Sequence, residues 1–505
     1  MSGLFTYYPQ LTNIYQAIVI ILKLYASVTV NTCSLVIRVP KIHPAELALA
    51  SLVQGSIERS KSANERCEAR TICRMEKLLL FTPGPVNVAA NVRAAVGLED
   101  ICHRELEFED LLRSIEGRLL QLFEIRNEQD YQAVVITGSG TAANEAMLSS
   151  VVGDQNILIL SNGEFGDRLH AISQVHNQNT GFIQFPWGEP INLEVVAEYL
   201  QNHQIDFIAL AHHETSSGML NPLGTIGALA RVNGSALLVD CVSSAGAESI
   251  DMERDNIAFC SSSSSKAIGS YPGLSFVIGE VLEYEKLKSI PARSAYLNLY
   301  KFFEFAIGRS QTPNTPAIPL FFALDQALAN ILNEGVRHRR AKILRTAKIL
   351  RHEMKELGLT FFLNTEDMSS VLTTVFVPPY VDIAVFRQRL REESIIIYAG
   401  KGPLKDRVFQ IGNIGEFSDT DVFQFIAVLR ETLNKFRIPE DAGITILSQH
   451  VPDPPMLPTV PPLSVVVNGE VIFSKTALVD SLGSDHSRTI PGDSAPVAGE
   501  ITSSI

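Results

Sequence analysis

The chain has 505 residues, a formal net charge of -13 and 46% hydrophobic residues, enough to bury a large core and to build two or three domains. The acidic balance excludes a non-specific nucleic-acid binder, which needs a basic surface, and leaves anionic small molecules open as substrates. The six cysteines, Cys33, Cys67, Cys73, Cys102, Cys241 and Cys260, show neither paired metal spacing nor a dense disulfide pattern. They fit a reducing compartment, with Cys241 and Cys260 as small core residues.

Residues 1–74 differ in composition from the remainder of the chain. The apolar stretch from Ile14 to Ile37 is interrupted by Lys23, which disfavours a membrane span, and Ser56 to Arg74 is polar without an apolar period. A globular body is expected to begin near Met75, preceded by a targeting segment or an upstream extension. The core is expected to be cytoplasmic and not membrane-inserted, with the leader leaving mitochondrial import or tethering open.

From Leu79 the chain alternates. Thr82-Pro83-Gly84-Pro85 is a rigid turn, and Val92 to Val96 and Glu107 to Phe123 have helical spacing. Ala133 to Ile136 reads as a buried strand ending in Thr137-Gly138-Ser139-Gly140-Thr141, followed by a small-residue helix, Ala142 to Val151. Further strands are expected at Ile157 to Leu160, Phe182 to Phe185, Phe207 to Ala211, Ala236 to Val239, Ile257 to Cys260 and Leu274 to Ile278. Helices such as Leu193 to Gln201 and Thr225 to Val232 lie between them. This predicts an α/β domain over residues 75–320 with a mainly parallel sheet covered on both faces.

After Leu287 the helices lengthen, at Ala323 to Glu334 and Val336 to Leu357. Strands come next at Leu372 to Val377, Ile395 to Tyr398 and Val408 to Ile411, with helices Ile383 to Glu392 and Asp419 to Phe436. They predict a smaller α+β domain over residues 321–436. Residues 437–505 form a tail rich in Pro, Ser and Thr, expected to be mostly disordered apart from an isolated hairpin over Val465 to Phe473, centred on Asn468-Gly469.

Three features carry chemistry. Gly138-Ser139-Gly140-Thr141, between a strand and a helix, has the form of a phosphate cradle: glycines permit close approach and the helix N-terminus offers N–H groups. Asp240 sits at the carboxyl end of a strand, where open α/β sheets bind ligands. Lys266 follows five serines, Ser261 to Ser265, on a polar connection between two apolar strands, where burial lowers its pKa and leaves an amine able to condense with an aldehyde. Together they make a pyridoxal phosphate site, in which the cradle anchors the phosphate, the acid keeps the pyridine nitrogen protonated and the lysine carries the aldehyde.

Residues from about Leu78 to Phe436 resemble the class V aminotransferases of pyridoxal phosphate fold type I, most closely the 2-aminoethylphosphonate–pyruvate transaminases. The matching stretches run from Leu80-Phe81-Thr82-Pro83-Gly84-Pro85 through Cys102-His103-Arg104-Glu105, Gly138-Ser139-Gly140-Thr141 and Asn162-Gly163-Glu164-Phe165-Gly166-Asp167-Arg168. They continue with His213-Glu214-Thr215-Ser216-Ser217-Gly218, Val239-Asp240, Lys266 with Pro272-Gly273, and Ile411-Gly412-Asn413-Ile414-Gly415. The resemblance implies that Lys266 is the Schiff-base lysine and proton shuttle, that Asp240 holds the pyridinium, and that Ser139, Gly140 and Thr141 bind phosphate. It further implies that Thr315 reaches the phosphate from the partner subunit of a homodimer, that Phe165 stacks on the ring in place of the usual tyrosine, and that Thr215 hydrogen-bonds the phenolic oxygen.

The departures bear on the substrate. Where the family has the arginine that clamps the acceptor's carboxylate, this chain has Gln410, a change that weakens carboxylate binding by ~2 to 4 kcal/mol unless another cation substitutes. Arg104, Lys401 and Arg407 are the candidates. The implied reaction passes an amino group from 2-aminoethylphosphonate to pyruvate, giving phosphonoacetaldehyde and alanine. Alternatives are an alanine–glyoxylate or serine–pyruvate type of transaminase, an aminophosphonate lyase that needs no keto acid, and a non-catalytic homologue. His212 and His213 read as structural hydrogen-bonders, and Arg337-His338-Arg339-Arg340 as a solvated helix face.

Overall fold

The computed structural model describes residues 77–437 except Gln178, together with the backbone of residues 464–467 and 470–474. The expectations for the leader, for Cys33, Cys67 and Cys73, and for most of the tail lie outside these residues. In chain order the strands are β1 (Leu79–Phe81), β2 (Tyr131–Thr137), β3 (Ile157–Ser161), β4 (Thr180–Gln184), β5 (Phe207–Ala211), β6 (His213–Glu214), β7 (Met219–Leu220) and β8 (Ala236–Asp240). They continue with β9 (Ile257–Ser263), β10 (Leu274–Glu280), β11 (Leu372–Phe376), β12 (Ile395–Ala399), β13 (Val408–Gly412), β14 (Ser464–Val467) and β15 (Glu470–Ser474).

The large sheet has the order β15-β14-β4-β3-β5-β8-β9-β10-β2. Its centre, β4 to β9, is parallel, and β10 runs antiparallel to both β9 and β2. Every residue of β3 and β5 is buried, as a strand covered on both faces requires. Helices Leu106–Leu122, Leu193–Asn202, Leu223–Val232 and Ile318–Glu334 bury their apolar stripes in one core layer, with Phe108, Ile115, Val196, Ile226 and Phe321 among its members. Gly140–Val151 and Leu299–Arg309 fill the other through Met147, Leu148, Phe302 and Phe303. This agrees with the α/β sheet expected from the alternation.

The smaller sheet has the order β1-β12-β13-β11. Its strand β1 comes from the start of the described chain and pairs in parallel with β12. Phe81 at its end stacks on Phe417 and Phe425, with ring centroids 4.3 and 4.2 Å away. Helices Val336–Glu356, Ile383–Glu392 and Asp419–Asn434 cover this sheet through Leu350, Phe386, Phe425 and Leu429.

Three expectations need correction. The tail hairpin is not isolated: β14 adds antiparallel to β4 and extends the large sheet. The polar run after Cys260 is not all loop, because β9 continues through Ser261, Ser262 and Ser263, all buried. The basic run is not uniformly solvated: Arg339 is 9% exposed and donates to Ala267 O at 3.0 Å, while Arg340 pairs with Glu124. Helices Glu164–His176, Val281–Lys286 and Leu299–Arg309 were not expected from periodicity.

One buried acid gives the core a pH dependence. Glu116 on Leu106–Leu122 is 7% exposed, and its Oε1 has no hydrogen-bond partner among the described residues. Burial pushes its carboxyl up to about 8, against the opposing pull of Gln132, Arg113 and Ser310. The folded state therefore keeps a proton that the unfolded chain releases near pH 4.5, so this contribution to stability is complete below that pH and is lost as pH rises through about 8. Glu116→Gln, which stays neutral, is expected to leave the melting temperature nearly unchanged at pH 4.5 and to raise it progressively up to pH 8. The gain at the alkaline end is on the order of 3 kcal/mol. Thermal melts of both proteins across that range test this, and a difference independent of pH would refute it.

Candidate functional site

The parallel strands β3, β5 and β8 end at one edge of the sheet, and the candidate residues gather on the connections that leave it. Lys266 lies on the turn between β9 and β10. The serines before it are tolerated in the core because their hydroxyls have partners: Ser261 donates to Asn144 Oδ1, Ser262 to Cys241 O at 3.1 Å and Ser264 to Leu274 O at 3.0 Å. The Lys266 ammonium donates to Pro83 O at 2.8 Å. Gly84 makes this approach possible: at φ +131° it suits no other residue, and a Cβ there would lie 2.6 Å from Lys266 Nζ. Tyr398 holds the same turn by donating to Gly84 O at 3.1 Å. Burial lowers the Lys266 pKa to about 8; Lys401 and Arg168 push the same way and the Asp240 carboxylate opposes them.

Asp240, 5% exposed, closes β8. Val242 N donates to its Oδ1 at 2.8 Å and Asn144 Nδ2 to its Oδ2 at 2.6 Å. Burial raises its pKa, while these two hydrogen bonds and the charges of Arg168 and Lys266 hold it down. Val242 also ties the acid to the cradle, since a Cβ on Gly140 would lie 2.6 Å from Val242 Cγ2. Helix Gly140–Val151 begins there with no side-chain cap from Ser139 and no acid in its first turn. Ala142 N donates to Ser139 O at 2.8 Å, and the N–H groups of Gly140 and Thr141 are left for an anion. Ser139 is exposed, and Gly140 and Thr141 are half-buried. An uncapped helix start beside a buried carboxylate and a desolvated lysine fits pyridoxal phosphate, whose phosphate, ring nitrogen and aldehyde need those three groups.

Phe165, at the start of Glu164–His176, is half-buried, with the Arg168 guanidinium 4.6 Å from its ring centre. Its N–H donates to Glu214 Oε2 at 3.0 Å. Glu214 also accepts from Gly166 N at 3.1 Å and from the Ser216 hydroxyl at 2.6 Å, and burial pushes its carboxyl up to about 7. Thr215, next in the chain, is 6% exposed. His212 and His213 are fully enclosed, with pKa values lowered to about 4 and about 3, chiefly by burial. His213 Nε2 meets the Ser369 hydroxyl at 2.8 Å, a structural contact as expected.

Gln410 is 4% exposed on β13. Its Nε2 lies within reach of Thr215 O at 2.9 Å, Ser216 O at 3.1 Å and Thr374 Oγ1 at 3.2 Å. Three acceptors surround two hydrogens, so the amide has no donor left for a substrate carboxylate. Arg104 is committed elsewhere: its Nη1 donates to Gln311 Oε1 at 3.0 Å and Thr312 O at 2.7 Å, fixing the loop that leads to Thr315. Thr315 itself is exposed, as is Lys401, and Arg407 is half-buried. Lys401 makes no ion pair among the described residues.

Two positions were missed in the sequence. Asn144 looks like one polar residue in a helix of small ones, and only its place one turn beyond Gly140 hints that it faces Asp240. Arg339 was hidden among basic neighbours, yet it fixes the lysine turn through Ala267 O and pairs with Glu334 at 3.1 Å. Among the described residues no helix is long and apolar enough to cross a membrane.

The aminotransferase class-V family model matches residues 90–405. A 2-aminoethylphosphonate–pyruvate transaminase of Phocaeicola vulgatus is 33% identical over 362 residues, covering 70% of this chain and 99% of that protein. One from Bacteroides fragilis is 31% identical over 367 residues, covering 71% and 99%. Among solved structures, an alanine–glyoxylate aminotransferase from Nostoc sp. superposes with a TM-score of 0.67 at 29% identity, covering 71% of this chain and 96% of that one.

Proposed function

This chain belongs to the class V aminotransferases, enzymes that use pyridoxal phosphate, and on that footing we propose that it transfers the amino group of 2-aminoethylphosphonate to pyruvate, giving phosphonoacetaldehyde and alanine. The observation that carries the reading is the convergence of a desolvated Lys266, the buried Asp240 and the uncapped start of Gly140–Val151 at one sheet edge; the named relatives supply the substrate pair. Pyridoxal phosphate, when bound, supplies an aldehyde that accepts amino groups and a ring that accepts electrons.

The protein's own residues have distinct tasks. The cradle N–H groups, with Ser139 and Thr141, would hold the phosphate; Asp240 would face the ring nitrogen, Phe165 would cover a ring face and Thr215 would meet the phenolic oxygen. With the cofactor bound, Lys266 would take up and hold on Nζ the proton from the substrate's amino-bearing carbon, a task suited to an amine with a pKa of about 8. We read the working unit as a homodimer, in which the exposed Thr315 would reach the phosphate of the second subunit. Lys401, whose charge bears on Lys266, takes the acid group that the family's arginine would clamp.

Absorbance tests the assignment. The protein loaded with pyridoxal phosphate should convert to the pyridoxamine spectrum on adding 2-aminoethylphosphonate, and pyruvate should restore it with alanine formed. Conversion that pyruvate cannot reverse would keep the aminotransferase and change its acceptor, whereas release of ammonia or phosphate without the pyridoxamine spectrum would favour an aminophosphonate lyase, the reading to which the fully engaged Gln410 amide lends support. Neither conversion nor release of ammonia or phosphate would refute both. In the same assay Gln410→Arg is expected to lower the KM for pyruvate roughly tenfold, the effect of one charge-assisted contact, while turnover in the 2-aminoethylphosphonate half-reaction stays within about threefold. An unchanged KM would place the acid group away from β13.

A further inference from the structure

Three elements meet behind Asp240. Asn144 projects from Gly140–Val151 and is 3% exposed; Ser261, fully buried, lies beside Asp240 in the register of β8 and β9. The Ser261 hydroxyl donates to Asn144 Oδ1, and Asn144 Nδ2 donates to Asp240 Oδ2 at 2.6 Å. The second carboxylate oxygen takes Val242 N at 2.8 Å.

This chain of donors has a direction. An asparagine amide offers a donor at one end and an acceptor at the other. The single Ser261 proton goes to Oδ1 rather than to the more distant Val239 O at 3.4 Å, which turns the NH2 end toward Asp240. The carboxylate then receives only N–H donors on the sides facing the protein, which favours its charged form and leaves its remaining lone pairs pointing out of this bracket. Without Asn144, burial would act on Asp240 with one fewer opposing contact, and one carboxylate oxygen would lose its anchor.

We propose that Asn144, oriented by Ser261, is a positioning residue that holds the Asp240 carboxylate against the pyridine nitrogen of the cofactor, and so governs how firmly the ring nitrogen is kept protonated. The proposal rests on the reading that Asp240 faces that nitrogen, and the test separates the two. Apoproteins are titrated with pyridoxal phosphate and with its deaza analogue, in which carbon replaces the ring nitrogen, following binding by fluorescence.

Asn144→Leu is expected to bind pyridoxal phosphate about tenfold more weakly, the scale of a hydrogen bond to a charged group, and to bind the deaza analogue like the parent protein. Ser261→Ala should show the same selectivity with a loss of about threefold, and Ser261→Thr, which keeps the hydroxyl, should recover it. If Asn144→Leu and Ser261→Ala weaken both ligands equally, or neither, while Asp240→Asn remains selective for pyridoxal phosphate, the relay is refuted and the Asp240 reading stands. If Asp240→Asn itself weakens both ligands alike, the reading beneath it fails as well. Should Asn144→Leu not fold, the two Ser261 variants carry the same comparison.

Discussion

Replacing Lys266 with alanine is expected to lower turnover by about ten-thousandfold or more, since one group serves both as attachment point and as proton carrier. With a pKa of about 8, about a tenth of the amine is neutral at pH 7, against less than about a thousandth for an ordinary lysine. Pyridoxal phosphate should still bind through the cradle and Asp240, and added small amines should restore part of the activity. Removing the lysine should also stabilise the apoprotein at neutral pH. A lysine whose folded pKa lies below the unfolded 10.5 costs stability in full below about 8, a cost relieved as pH rises between those values. A higher melting temperature at pH 7 joined to lost turnover separates a chemical defect from a folding one. Retention of a tenth of the parent turnover would remove Lys266 from the chemistry.

Asp240→Asn is expected to reduce turnover by about a thousandfold, an effect of the size seen when a single preorganised electrostatic partner is removed. The Asn144 and Val242 donors would then face an amide that accepts at only one end. The exchange also reaches Lys266. The Asp240 charge is what raises the lysine's pKa against burial, Lys401 and Arg168, so its loss should bring that pKa below 8. The pH at which the apoprotein captures pyridoxal phosphate should shift down accordingly. A capture profile that does not move would mean the two groups are electrostatically independent.

The alternation of short apolar strands with amphipathic helices made the covered parallel sheet legible, because strands such as β3 and β5, buried on both faces, have to be apolar throughout. β1 was less legible: three residues carry no period, and its partner β12 lies some three hundred residues away. Lys266, Asp240 and the cradle stood out because each breaks its surroundings, a charge after serines, an acid after an apolar strand, glycines before a helix. Asn144, Ser261 and Arg339 break nothing locally. Their meaning comes from which polar atoms they meet across the fold. Gln410 could be recognised as a departure, but its engagement with Thr215 and Ser216 depends on how the paired strands β11 and β13 approach the β6–β7 turn.

The pairing of β14 with β4 has a consequence for the protein's behaviour at high concentration. Without the hairpin, β4 would be the margin of a wide sheet and would offer a ladder of open N–H and C=O groups to any passing chain, the usual starting point for intermolecular β-pairing. Residues 464–467 fill that ladder from within the same polypeptide, and β15 then forms the margin. A segment beyond the catalytic family match thereby carries this margin of the sheet, so the open ladder on that side belongs to β15, and a version of the protein cut after residue 437 would offer β4 in its place.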